Sequence, residues 1–150
     1  MSKEEKYQDI YPQIASVVED EPDLIANMAN VAALLHEQFG FWWTGFYRVE
    51  SEEMLVLGPF QGPVACTRIK KGRGVCGTAW QTDTTQVVPD VERFPGHIAC
   101  SSESKSEIVV PVHDAKGRVF AVLDIDSAEY ATFDHTDQLW LEKIVTLLSA

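Results

Sequence analysis

Between Glu107 and Ile125 the chain carries two apolar runs, Glu107 to Val112 and Arg118 to Ile125, separated by the turn-forming residues His113-Asp114-Ala115-Lys116-Gly117. Short runs rich in Val and Ile read as buried strands, and so brief a connection suits antiparallel neighbours. A second pair is expected upstream. Phe41 to Val49 is rich in aromatic residues, Met54 to Phe60 is apolar, and the polar Glu50-Ser51-Glu52-Glu53 between them has the length of a hairpin turn. Gln86 to Val88 suggests one more brief strand.

Helical patterns frame these strands. Leu24, Met28, Val31, Ala32 and Leu35 recur at three and four positions, which is the stripe a helix presents to a core. Asp20 or Glu21 ahead of Pro22 is expected to start this helix and Gly40 to end it. An earlier helix over Glu4 to Val18 is interrupted by Pro12. At the other end Asp134 caps a helix whose apolar stripe is Trp140, Leu141, Ile144, Leu147 and Leu148, with Asp137 suited to its first turn. This order leaves alternating βαβ winding unsupported. It predicts an α+β fold, an antiparallel sheet with helices packed against one face. With 150 residues, 45% of them hydrophobic, residues 1–150 form a single domain.

Charge narrows the function. Twelve Lys and Arg against twenty-three Asp and Glu give −11, so nucleic acid and anionic membrane surfaces are repelled. No apolar run approaches the ~18 residues of a membrane span. The start Met1-Ser2-Lys3-Glu4-Glu5-Lys6 lacks the apolar core of a signal peptide, so a cytoplasmic location is expected.

Two long irregular connections, Gln61 to Gly77 and Pro89 to Ser106, carry all three cysteines, Cys66, Cys76 and Cys100. Such loops in a compact domain are usually functional. A short helix over Val75 to Gln81 is expected within the first. Gly72, Gly74 and Gly77 mimic a dinucleotide loop, but no convincing strand precedes them and no long helix follows. The odd cysteine count and the absence of Cys-x-x-Cys point to thiol chemistry rather than zinc. His36, His97, His113 and His135 show no ligand spacing, so no metal or cofactor is required. His97 reads as a surface or loop-packing residue.

Asp124 and Asp126 lie two apart in an apolar strand and therefore share a face. Two carboxylates there are costly unless a cation meets them, and the ammonium of a free amino acid would serve; a strand end running into solvent is the alternative. Trp43, Gly45 and Tyr47 share a face of their strand in the same way, leaving a groove between two rings, with Trp42 turned to the other side. Glu107 starts an apolar strand, either as an exposed first residue or as a partly buried acid.

Leu57-Gly58-Pro59-Phe60-Gln61-Gly62 leading to Ala65-Cys66, then Gly72 to Gly77 with Cys76, then Phe94-Pro95-Gly96-His97-Ile98-Ala99-Cys100 resemble the three cysteine motifs of the free methionine-R-sulfoxide reductases. Ser106-Glu107-Ile108-Val109-Val110-Pro111 and Val122-Leu123-Asp124-Ile125-Asp126-Ser127 are similar to two further blocks of that family. Ser101 and Ala128 depart from its pattern.

The resemblance implies a GAF-domain fold and reduction of free methionine-R-sulfoxide through thiol, sulfenic acid and disulfide, recycled by thioredoxin. It implies Cys100 as nucleophile, with Cys66 or Cys76 as the resolving thiol. For that chemistry Glu107, read as a partly buried acid, is expected to be the proton donor, a role Asp124 would also suit, and the resemblance supports Asp124 and Asp126 on the ammonium and Trp43 and Tyr47 around the methyl group. A homodimer follows only from habits of the fold. A GAF-like sensor remains the other class, and it would need an output domain from a partner.

Overall fold

The computed structural model describes residues 1–97 and 103–148. Cys100 lies outside the described residues. The elements in chain order are α1 (Lys3–Val18), α2 (Leu24–Phe39), β1 (Trp43–Val49), β2 (Met54–Gln61), β3 (Arg68–Lys70), α3 (Gly74–Thr82), β4 (Gln86–Val88), β5 (Ser106–His113), β6 (Val119–Ser127) and α4 (His135–Val145). The strands form one sheet in the order β3-β2-β1-β6-β5-β4, and its paired neighbours are antiparallel. Both expected hairpins are present. The β5–β6 pair runs in register from Ser106 opposite Ser127 to Val112 opposite Ala121, and a register shift then sets His113 opposite Val119.

Period-two alternation divides the interior between the two faces of this sheet. Phe46, Ile108, Val110, Leu123 and Ile125 point to one side, where they meet Tyr7, Ile10 and Ile14 of α1, Met28, Val31 and Leu35 of α2, and Leu141 and Ile144 of α4. Trp43, Tyr47, Val109 and Val122 point to the other side, where Val75, Cys76, Ala79 and Trp80 of α3 cover them. Three helices thus share one face, and the short α3 takes the face that the sequence left unassigned. The central strands are buried on both sides, which is why β5 reads as a continuous apolar run rather than an alternating one.

The structure departs from the sequence reading at several ends. Pro12 sits inside an unbroken α1. An interior proline costs roughly 3 kcal/mol. Burying Tyr7, Ile10, Ile14 and Val18 gains on the order of 1.5–3 kcal/mol per side chain, which outweighs that cost. The N-terminus of α2 is capped by Asp23, not by Asp20 or Glu21, because the Asp23 carboxylate accepts from Ala26 N at 2.9 Å. Gly40 ends α2 as expected, with a left-handed φ of 67°. Asp134 caps α4 in a reciprocal pair with Asp137. Strand β3 had no signal in the sequence, since three residues are too few for a period. Among the described residues, no helix is long and apolar enough to cross a membrane.

Candidate active site

Sheet register assembles the site on the face that α3 covers. In one row across the sheet, Trp43 of β1 stands beside Asp126 of β6, which stands beside Glu107 of β5. In the next row Gly45 stands beside Asp124, which stands beside Val109. Tyr47 and Val122 form the third. Residues two apart on neighbouring strands present their side chains together, so three carboxyl groups and two aromatic rings meet in one pocket. The cavity is about 610 Å³, part of it continuous with solvent. Cys76 reaches it from α3.

Two of the three carboxyl groups are shut away from water. Glu107 and Asp124 are buried, at 7% and 5% exposure, and Asp126 is partly exposed. Desolvation disfavours a charge on each, and mutual repulsion adds to it. Glu107 is held well above the usual carboxylate range by burial first and then by Asp124 and Asp126. Asp126 is raised by burial and by Asp124. Asp124 is also raised by burial, but its contacts with Glu107, Cys76 and Asp126 pull the other way, as does the charge of His97. Those contacts are with groups that need a proton of their own to donate. Oδ1 of Asp124 has no hydrogen-bond partner among the described residues. The Cys76 thiol is pushed up by burial and then by Asp124, Glu107 and Asp126.

The aromatic side is tied to the loop that carries Cys66. Trp43 Nε1 donates to the Pro63 carbonyl at 3.0 Å, and Tyr47 Oη donates to the Cys66 carbonyl at 2.8 Å. The two rings stack at 5.9 Å between centroids, and Trp43 also stacks on Phe60 at 5.2 Å. The expected open groove above Gly45 is corrected here. A Cβ at Gly45 would lie 2.7 Å from the Trp43 ring and 2.4 Å from Phe60 Cβ, so the missing side chain lets the indole fold over the strand. The wall is one stacked aromatic surface, not a slot between two rings.

Trp42 does not turn away. It lines the pocket, because it precedes the first residue of β1 and alternation does not govern it. His97 lines the pocket too, rather than packing elsewhere. Sequence reasoning missed Arg73 and the start of α3, which lie at the same cavity. Helix α3 begins at Gly74, and the Arg73 side chain provides no cap for it, so its first N–H groups suit an anion. A lone arginine beside a glycine-rich helix start was the available signal. The three glycines of that segment build a turn rather than a nucleotide loop: Gly72 N donates to Gly77 O at 3.0 Å, and a Cβ at Gly77 would meet the Lys70 carbonyl at 2.6 Å.

The pocket can therefore hold a small zwitterion, since carboxyl groups, an arginine and a helix start all line it. It also contains the one metal-capable cluster among the described residues: donor atoms of Cys76, Glu107 and Asp124 all lie within 4.8 Å of one another. Cys66 occupies the loop after β2, half-buried.

Comparison with known proteins agrees with this architecture. Residues 23–150 match the model of the GAF domain. GAF domain-containing protein A of Dictyostelium discoideum is 58% identical over 98% of this chain and 92% of its own. The free methionine-R-sulfoxide reductase of Escherichia coli (strain K12) is 44% identical over 99% of this chain and 89% of its own. The X-ray structure of free methionine-R-sulfoxide reductase from Neisseria meningitidis in complex with its substrate superposes with a TM-score of 0.96 at 54% identity, covering 99% of this chain and 89% of that one. The chain belongs to the GAF-domain family and, within it, to the free methionine-R-sulfoxide reductases.

Proposed function

We propose that this protein reduces free L-methionine-R-sulfoxide to methionine in the pocket between β1, β5, β6 and α3. The observation that carries the reading is the trio Glu107, Asp124 and Asp126, the first two buried and the third partly exposed, in one pocket with an aromatic wall. Such a trio needs a cationic ligand, and a free amino acid brings one on a small body. The substrate ammonium meets Asp124 and Asp126, its carboxylate takes the α3 start and Arg73, and its methyl group lies against Trp43 and Tyr47. The relatives named as reductases of this substrate support the assignment.

Chemistry follows from charge placement. The Cys100 thiolate attacks the sulfoxide sulfur while a proton passes to the oxygen, and methionine leaves as Cys100 becomes a sulfenic acid. Glu107 suits the donor role better than Asp124, because burial and two neighbouring carboxylates hold its pKa well above the usual carboxylate range, whereas the neighbours of Asp124 pull its pKa down. A second thiol then condenses with the sulfenic acid, releasing water and leaving a disulfide that thioredoxin reduces by exchange. Cys66 fits this second role better than Cys76. Cys66 is disulfide-bonded, whereas Cys76 is a free thiol on the buried face of α3.

The test is NADPH consumption with thioredoxin, thioredoxin reductase and either free methionine-R-sulfoxide or its S epimer. Turnover of the R form with little of the S form supports the proposal. No turnover of either refutes it.

A further inference from the structure

The same pocket floor holds a donor set that an ammonium group does not use fully. Cys76 Sγ, a Glu107 carboxylate oxygen and an Asp124 carboxylate oxygen lie within 4.8 Å of one another, all three residues buried. A tetrahedral zinc ion with bonds of about 2.3 Å to sulfur and about 2.0 Å to oxygen sets its ligands about 3.3–3.5 Å apart. The donors therefore need to close by little more than an ångström. Asp124 Oδ1 is buried without a hydrogen-bond partner among the described residues and belongs to a residue lining the cavity. A buried carboxylate oxygen without a partner is costly, and a cation beside it would offset that cost. The pocket is partly open to solvent, so water can supply a fourth ligand.

We infer that Cys76, Glu107 and Asp124 form a binding site for a thiophilic divalent cation, Zn²⁺ above all, and that its occupation excludes the substrate. The thiolate selects against Mg²⁺ and Ca²⁺, which take oxygen ligands, while mixed sulfur and carboxylate donors suit zinc. Binding forms a zinc–sulfur bond and releases the Cys76 proton to solvent. It offsets the repulsion among the buried carboxyls more completely than a monovalent ammonium does. It also takes Glu107 and Asp124 from the substrate, so zinc acts as a reversible inhibitor. The exclusion rests on the ammonium reading proposed above; the metal site itself does not.

The test uses the full chain carrying Cys66→Ser and Cys100→Ser, so that Cys76 is its only cysteine, titrated with CoCl₂. The expected result is a thiolate-to-cobalt charge-transfer band in the near ultraviolet, bleached by ZnCl₂. Adding Glu107→Gln should weaken cobalt binding at least ~10-fold, since losing even an outer-sphere partner costs that much. Adding Cys76→Ser should remove the band. No band at saturating cobalt, or a band that survives without Cys76, overturns the site. If that triple variant does not fold, alkylation of Cys76 in the double variant decides. Protection by ZnCl₂ supports the site, and an unchanged rate overturns it. Free methionine-R-sulfoxide should bleach the band as zinc does. A band that forms as expected but resists the sulfoxide upholds the metal site and removes the ammonium reading.

Discussion

Asp124 and Asp126 stand on one face of β6 with no Lys or Arg salt bridge among the described residues, so the proposed ligand charge decides what the pocket accepts. N-acetylmethionine-R-sulfoxide keeps the shape of the substrate and loses its cation. Its kcat/KM should fall steeply, by as much as ~10⁴-fold, because the buried carboxyls are then left uncompensated. A competition assay against the free R form under thioredoxin recycling measures this, and comparable values would remove the ammonium role. The cysteines divide by step. Cys100→Ser should abolish both turnover and sulfenic acid formation, while Cys66→Ser should release about one methionine per site and then stall. Single-turnover quantification of methionine separates the two, and equal loss of the first turnover would break the division. The acidic residues and Trp43 were legible because β1 and β6 are regular and period two placed them. Trp42 and Arg73 were not, because they stand just outside a regular element, and His97 was not, because it lies within the long connection before β5; no period assigns a direction at any of these positions.

Elements were legible in proportion to their length. The stripes of α2 and α4 and both hairpins could be read from spacing alone, whereas β3 is three residues long and α1 carries a proline that packing overrides. The Gly72-x-Gly74-x-x-Gly77 segment shows why a motif needs its context. Its last glycine lets α3 sit against the backbone of Lys70 and Gly72, and that docking sets where Cys76 and the helix start enter the pocket. Gly77→Ala places a methyl group 2.6 Å from the Lys70 carbonyl, and backbone cannot give way as a flexible side-chain tip can. The expected cost is about 1–3 kcal/mol, with substrate affinity falling as α3 lifts. Denaturant unfolding and substrate titration check the two effects. An unchanged midpoint with unchanged affinity would mean that α3 is not held in place through this contact.

At the scale of the whole molecule, stability against pH should have two flanks with different origins. Glu5, Asp114 and Asp134 have lowered pKa values. For such groups the stabilisation is present above the unfolded value and lost as pH falls through the folded one, so they shape the acid flank. Glu107, Asp124 and Asp126 are raised. The folded state keeps protons that the unfolded chain has released above about pH 4–4.5, so stability is full below that range and declines as pH rises toward the folded values. One retained proton corresponds to a slope of about −1.4 kcal/mol per pH unit within that window. The net charge of −11 adds general repulsion, but that burden is nearly the same with or without one interior carboxyl. Glu107→Gln therefore isolates the pocket. Its Tm should fall less than that of the parent as pH rises above about 4.5, with a residual decline from Asp124 and Asp126. Free methionine-R-sulfoxide at a hundred times its Kd should add about 2.7 kcal/mol to the parent, since it binds only the folded state. Its ammonium stabilises the charged carboxyls, so the gain should grow toward the alkaline side. Thermal unfolding followed by circular dichroism across that pH range, with and without ligand, tests both statements. Parallel Tm curves for the two proteins would show that Glu107 titrates in the folded chain as it does in the unfolded one, and the proton-donor role assigned to it would fall with that result.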